Sequence, residues 1–128
     1  MSATVKLSEI AQITNVVHDL DRAVRFYRDA LGLPLLFQAP PSLAFFQVGA
    51  IRLMLSPPEN KEQDHPGSFL YFRVKDIEGV HRELTDRGVT FADTPHRVHQ
   101  AADHDLWMTF FHDPDKNPMA LMEEKRKA

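Results

Sequence analysis

A chain of 128 residues with 43% hydrophobic and 26% charged residues has the size and make-up of one folded domain, not of a disordered segment. A formal net charge of -3 and the lack of a basic stripe interleaved with aromatics argue against nucleic acid as a partner, since that recognition depends on neutralising phosphates. The chain has no cysteine, so no disulfide framework and no thiol chemistry. Met1 to Glu9 lacks an apolar signal-like core, and no run approaches the roughly 20 apolar residues of a membrane span. The expectation is a cytoplasmic protein without a membrane partner.

Ile10 to Val17 is rich in β-branched residues and reads as a strand. It ends at His18-Asp19, where Asp19 can cap a helix and Asp21 suits the helix's positive end. Leu20, Val24, Tyr27 and Leu31 follow at helical spacing, and Gly32 supplies a left-handed C-terminal cap. Three short strands are then expected, Leu33 to Gln38, Leu43 to Val48 and Ile51 to Ser56, separated by Pro40-Pro41 and by Gly49-Ala50. Pro57 to Gly67 is proline-rich, charged and aperiodic, and reads as a linker.

The same grammar then returns about 57 residues on. V-H-D-L-D-R-A-V-R-F-Y-R-D-A-L-G is answered by V-K-D-I-E-G-V-H-R-E-L-T-D-R-G. Ile77, Val80, Leu84 and Gly88 are the counterparts of the first helix and its cap. Val89 to Phe91 leads to strands at Arg97 to Gln100, Leu106 to His112 and Met119 to Met122, so the order is again β-α-β-β-β. The boundaries expected are module one at 10–56, a linker at 57–67, module two at 68–123 and a charged tail at 124–128, with Glu123 to Ala128 expected to fray. Two modules of this size must share one core.

Paired β-α-β-β-β modules, V-x-D-L-x-x-A-V-x-F-Y at the first helix and F-F-x-D-P-D-x-N before the last strand together resemble the vicinal oxygen chelate superfamily. That family includes glyoxalase I, extradiol dioxygenases, fosfomycin-resistance enzymes and bleomycin-resistance proteins, and the resemblance covers nearly the whole chain. It implies an α+β fold in which the two modules pair into a curved mixed sheet that encloses a cavity, with helices on the outer face. It also implies a homodimer.

Strand alternation divides each strand between a helix-packed face and a cavity face. Ala11, Ile13 and Val17 suit the helix side, leaving Gln12, Thr14 and Val16 for the cavity. Ile51, Leu53 and Leu55 turn inward, leaving Arg52, Met54 and Ser56. The offset between modules assigns Phe69, Tyr71 and Arg73 to the cavity, with Leu70, Phe72 and Val74 on the helix side. Met119 and Leu121 pack inward and Ala120 faces the cavity. Met108 and Phe110 are the cavity residues of their strand by resemblance, although Trp107 could take their place.

Metal-dependent relatives place a His or Gln and a Glu from each half on this face, five residues before the Val of V-x-D and on each fourth strand. Carried over one by one, those places fall on Gln12, on Met54 (or Arg52 if the register slips by two), on Phe69 and on Ala120. Only Gln12 offers an oxygen or nitrogen ligand, and one neutral amide cannot hold a hard or borderline divalent ion. The expectation is therefore no metal and no cofactor. The candidate pocket is Gln12, Thr14, Arg52, Met54, Phe69, Tyr71, Arg73, Met108, Phe110 and Ala120, aromatic walls with guanidinium groups that suit a small organic, anionic ligand.

The alternative reading is a metal-dependent lyase, isomerase or dioxygenase with displaced ligands drawn from Gln12, His99, His104 or His112. A hairpin at Ala101-Ala102-Asp103 could bring His99 near His104, whereas His96 and His99, three apart on a strand, should face opposite ways. Asp113-x-Asp115-x-Asn117 has the spacing of a calcium loop, but Pro118 stands where such a loop needs glycine, so a tight turn is expected. No G-x-S-x-G, phosphate-binding or dinucleotide motif is present, and no carboxylate occupies an assigned cavity position. No catalytic residue follows from the sequence.

Overall fold

A computed structural model describes residues 5–39 and 42–127. Residues 1–4, the Pro40-Pro41 break and Ala128 lie outside the described residues. Strand β1 (Gln12–Val16) leads into helix α1 (Leu20–Val24), which continues as a π-helical segment over Arg25–Ala30. Then come β2 (Leu35–Ala39), β3 (Leu43–Val48) and β4 (Ile51–Ser56). The linker holds one short 3-10 turn, Lys61–Gln63. The second module runs through β5 (Leu70–Arg73), α2 (Ile77–Asp86), β6 (His96–Gln100), β7 (His104–His112) and β8 (Pro118–Arg126).

Each module builds its own four-stranded mixed sheet, in the orders β1-β4-β3-β2 and β5-β8-β7-β6. The first and last strands of each module pair in parallel and the other neighbours are antiparallel. The duplication holds at the level of register: Thr14 stands opposite Met54 as Tyr71 stands opposite Ala120. Among the described residues the eight strands do not close into one barrel. Among the described residues no helix is long and apolar enough to cross a membrane.

Both V-x-D motifs act as helix caps. The Asp19 side chain accepts from the Arg22 N–H at 3.1 Å and the Asp76 side chain from the Gly79 N–H at 3.2 Å. Gly32 and Gly88 end their helices at φ +75 and +96, the left-handed region that glycine enters without steric cost. The first helix departs from a simple α pattern: the Leu31 N–H bonds the Phe26 carbonyl, five residues back, at 3.0 Å.

One continuous core joins the modules. Tyr27, Phe46, Leu53 and Leu55 of the first pack with Ile77, Leu84, Met119 and Leu121 of the second. Around the Asp113–Asn117 turn the join is polar. The Asp113 carboxyl accepts from the Tyr27 hydroxyl at 2.6 Å, from Asn117 Nδ2 at 2.8 Å and from the Asp115 and Asn117 N–H groups, each at 2.8 Å. Asn117 Nδ2 also donates to the Val16 carbonyl, and its Oδ1 accepts from the Gly67 N–H. Burial first, and the Asp113 carboxyl second, push the Tyr27 phenol well above its ordinary pKa, so it stays a donor. The turn therefore ties together β1, α1, the linker and β8.

Two expectations about the second module need correction. The charged end is not frayed: β8 runs on to Arg126 and stays paired with β7 as far as His104 opposite Arg126. Glu123 accepts from the Asp76 and Ile77 N–H groups at the start of α2, and Lys125 pairs with Glu78 and lies 4.3 Å from the Trp107 ring centroid. Likewise His96 and His99 do not face opposite ways. A bulge between Arg97 and His99 resets the alternation, so His96 pairs with Met108 and His99 with Leu106, two residues of one face.

His18 closes the linker onto this junction. Its ring lies 2.8 Å from Asp115 and 2.7 Å from Asp64, with the Arg22 guanidinium 3.3 Å from the same Asp115 oxygen. The hydrogen bonds to Asp115 and then to Asp64 raise the His18 pKa above its ordinary value. Because the folded pKa lies above the unfolded one, the stabilisation is fully present below about pH 6.5 and disappears as pH rises through the raised value. We expect the melting temperature of wild type minus that of His18→Gln to be larger at pH 6 than at pH 8.5, read by thermal denaturation. A difference that does not change with pH would show that the charged imidazole contributes nothing.

Candidate functional site

The face of each sheet turned away from the core carries the side chains assigned to the cavity. On the first sheet the register aligns Gln12, Arg52 and Gln47 in one row across β1, β4 and β3, and Thr14, Met54, Phe45 and Phe37 in the next. Opposite-facing neighbours Leu53, Leu55, Ala44 and Phe46 are buried. Phe37 and Phe45 stack, with ring centroids 4.6 Å apart and planes at 24°. The Arg52 guanidinium lies 6.0 Å from the Phe37 centroid and 5.7 Å from that of Phe45.

On the second sheet the corresponding row is Tyr71, Ala120 and Phe110, followed by Arg73, Met122, Met108 and His96. Phe69 stacks on Tyr71 and meets Phe110 edge-on, each at 6.1 Å. His96 lies 6.5 Å from Phe110. Met108 and Phe110 share the face of Ala120, whereas Trp107 is on the other face beside Lys125. The structure thus groups Gln12, Thr14, Arg52 and Met54 on one sheet and Phe69, Tyr71, Arg73, Met108, Phe110 and Ala120 on the other. Among the described residues, no hydrogen bond, ion pair or ring contact joins the two groups.

The two arginines differ in their surroundings. Arg73 has Glu124 at 3.9 Å, whereas among the described residues no carboxylate lies within ion-pair distance of Arg52. Phe37, Phe45 and Gln47 are site neighbours that the sequence reading missed. A signal was present: the two-residue Gly49-Ala50 turn, with Gly49 at φ +58, fixes Gln47 opposite Arg52 and Phe45 opposite Met54.

The four places where metal-dependent relatives carry ligands do not fit a metal here. The register puts Met54, not Arg52, at the place equivalent to Ala120. Gln12 Nε2 lies 3.9 Å from the Met54 sulfur, and Phe69 and Ala120 offer only hydrocarbon. His99 pairs with Leu106, two residues from His104 along the same face, and His104 Nδ1 is 2.8 Å from Asp103. His112 Nδ1 bonds the Asp113 carbonyl. Among the described residues no group of three or more His, Cys, Asp or Glu side chains is placed to hold a metal ion. The expected turn at Asp113–Asn117 is found, with Lys116 at φ 68 and the Asp113 N–H bonded to the Asn117 carbonyl.

An apolar cavity of about 300 Å³ lies where the modules meet, lined by Ile13, Val48 and Leu53 of the first and by Phe69, Tyr71 and Phe72 of the second. Of the residues assigned to the ligand face, Phe69 and Tyr71 border it. No charged side chain lines it, and the Tyr71 hydroxyl is the one polar side-chain group of its lining.

Comparison with known proteins agrees with this architecture. A chain from Bacillus subtilis (strain 168), "Uncharacterized protein YraH", is 28% identical over 125 residues, covering 85% of this chain and 93% of its own. A lactoylglutathione lyase structure from Agrobacterium tumefaciens superposes with a TM-score of 0.76 at 22% identity, over 92% of this chain and 95% of that one. A superfamily member from Sphaerobacter thermophilus DSM 20745 gives a TM-score of 0.77 at 25% identity, over 92% and 98%. The family model described as "Glyoxalase/Bleomycin resistance protein/Dioxygenase superfamily" matches residues 9–121, and with its duplicated modules the chain belongs to that superfamily.

Proposed function

We propose that this chain binds a small organic, anionic molecule on the cavity faces of its sheets, without the metal its relatives use, and that it does so as a homodimer. The observation that carries the reading is the contrast on those faces: the register of the family's ligand places is kept while their residues are an amide, a thioether, a phenyl ring and a methyl group. What stands there instead is aromatic surface with guanidinium groups, a lining suited to an organic anion. Phe37, Phe69 and Tyr71 are 48%, 52% and 49% exposed, more aromatic surface than a lone domain has reason to leave in water, and a ligand or a second copy would cover it.

A thermal-shift screen in the presence of a chelator tests this. A ligand at about 100 times its Kd stabilises the folded state by about 2.7 kcal/mol. The expected result is a set of organic anions that raise the melting temperature with chelator present. Failure of a broad library to raise it, or stabilisation only after a divalent ion is added, would count against the reading. Sedimentation equilibrium checks the dimer separately, with a monomer at tens of micromolar as the contrary result.

A further inference from the structure

Of the two arginines on the candidate faces, one has a carboxylate beside it. The 3.9 Å approach of Glu124 offsets the positive charge of Arg73, while Arg52 shares its face with Gln12, Thr14, Met54, Phe45, Gln47 and Phe37, none of them acidic. Positive potential is therefore concentrated at Arg52. The stacked rings of Phe37 and Phe45 lie beneath its guanidinium. A guanidinium held against aromatic faces keeps its planar fork in a set orientation and is weakly hydrated, so little ordering is left to a carboxylate that meets it side-on with two parallel hydrogen bonds.

The neighbouring amides are not equivalent. Gln47 Nε2 already donates to the Gly49 carbonyl at 2.6 Å, whereas among the described residues the one hydrogen-bond partner of Gln12 Nε2 is the Met54 sulfur at 3.9 Å, a weak acceptor. Gln12 can thus exchange that contact for an anion's oxygen. One rung further along the strands, Thr14 and Met54 offer a methyl and a thioether surface beside the buried Phe45. Successive same-face rungs are about 6.7 Å apart, the span of one aromatic ring with its carboxylate.

We infer that Arg52, on its Phe37–Phe45 platform, is the residue that selects the ligand's charge, and that the ligand class is a planar carboxylate on an aromatic frame, its carboxylate on Arg52 and Gln12 and its ring over Thr14 and Met54. This rests on the ligand-binding reading above. Arg73, offset by Glu124, contributes less to charge selection.

Benzoate and its neutral analogue benzyl alcohol, titrated into the intact protein and followed by amide chemical shifts, separate the possibilities. Benzoate is expected to bind wild type more tightly than benzyl alcohol and to perturb β1, β3 and β4. Arg52→Gln should weaken benzoate by about tenfold or more and Arg52→Lys by less, since the charge remains but the fork is lost. Arg73→Gln should weaken it less than Arg52→Gln does, because Glu124 already offsets the Arg73 charge. Unchanged melting temperatures establish that the variants fold. Loss of benzoate binding in Arg73→Gln but not in Arg52→Gln would overturn the assignment. Equal binding of benzyl alcohol and benzoate would overturn the ligand class while leaving the broader reading intact. Absence of binding by both would overturn this inference, and the chelator screen would then decide the broader reading independently.

Discussion

Asp113→Ala should destabilise the fold by about 4 kcal/mol, with a fall in melting temperature of about 10–15 °C for a domain of this size. Asp113 is 1% exposed and its two oxygens accept four hydrogen bonds, from the Tyr27 hydroxyl, Asn117 Nδ2 and two backbone N–H groups. Removing the carboxyl strands those donors where water cannot readily replace it, and each buried unsatisfied donor costs about 1–3 kcal/mol, less than additively for neighbours. Asp113→Asn should fall between. It keeps one acceptor oxygen for the two N–H groups but turns an NH₂ toward Asn117 Nδ2, itself a donor. Urea denaturation measures both, and a loss below about 1 kcal/mol for Asp113→Ala would mean that the turn does not secure the junction. The effect reaches the candidate site because the same turn fixes β1 through the Val16 carbonyl.

Phe46→Ala should cost about 3–5 kcal/mol. Phe46 is fully buried, sits opposite Leu53 and Leu35 in the sheet, and its ring centroid is 5.8 Å from that of Tyr27. Truncation removes its own burial and leaves a cavity that the rigid sheet on one side and α1 on the other cannot fill. Phe37, on the opposite face and 48% exposed, gives the contrast. Phe37→Ala should cost about 1 kcal/mol or less, mainly lost stacking on Phe45. Thermal or urea denaturation distinguishes the pair. Equal costs would mean that the division into core and ligand faces is wrong.

That division was legible in the sequence because strand alternation and the module repeat constrain each other. Gln12, Thr14, Arg52 and Met54, together with Phe69, Tyr71 and Ala120, fall on the faces the alternation assigns, and both Asp caps form where the V-x-D motifs place them. What escaped the reading depends on partners far away in the chain. The bulge at Arg97–His99 arises from pairing with β7 and reverses the relation of His96 to His99. Glu123 and Lys125 read as a solvated tail, since nothing local reveals that one caps α2 and the other covers Trp107. Asn15 lacked an assignment in the alternation for a similar reason: it is buried as a donor to the Tyr27 hydroxyl, 12 residues on, in a network centred on Asp113.

The central claim is an organic anion bound without a metal. A benzoate isotherm recorded on protein of known metal content, before and after exhaustive chelation, tests it most directly. The account predicts no stoichiometric metal and superimposable isotherms. A bound divalent ion at one per chain, with ligand binding lost on chelation and restored on readdition, would contradict it.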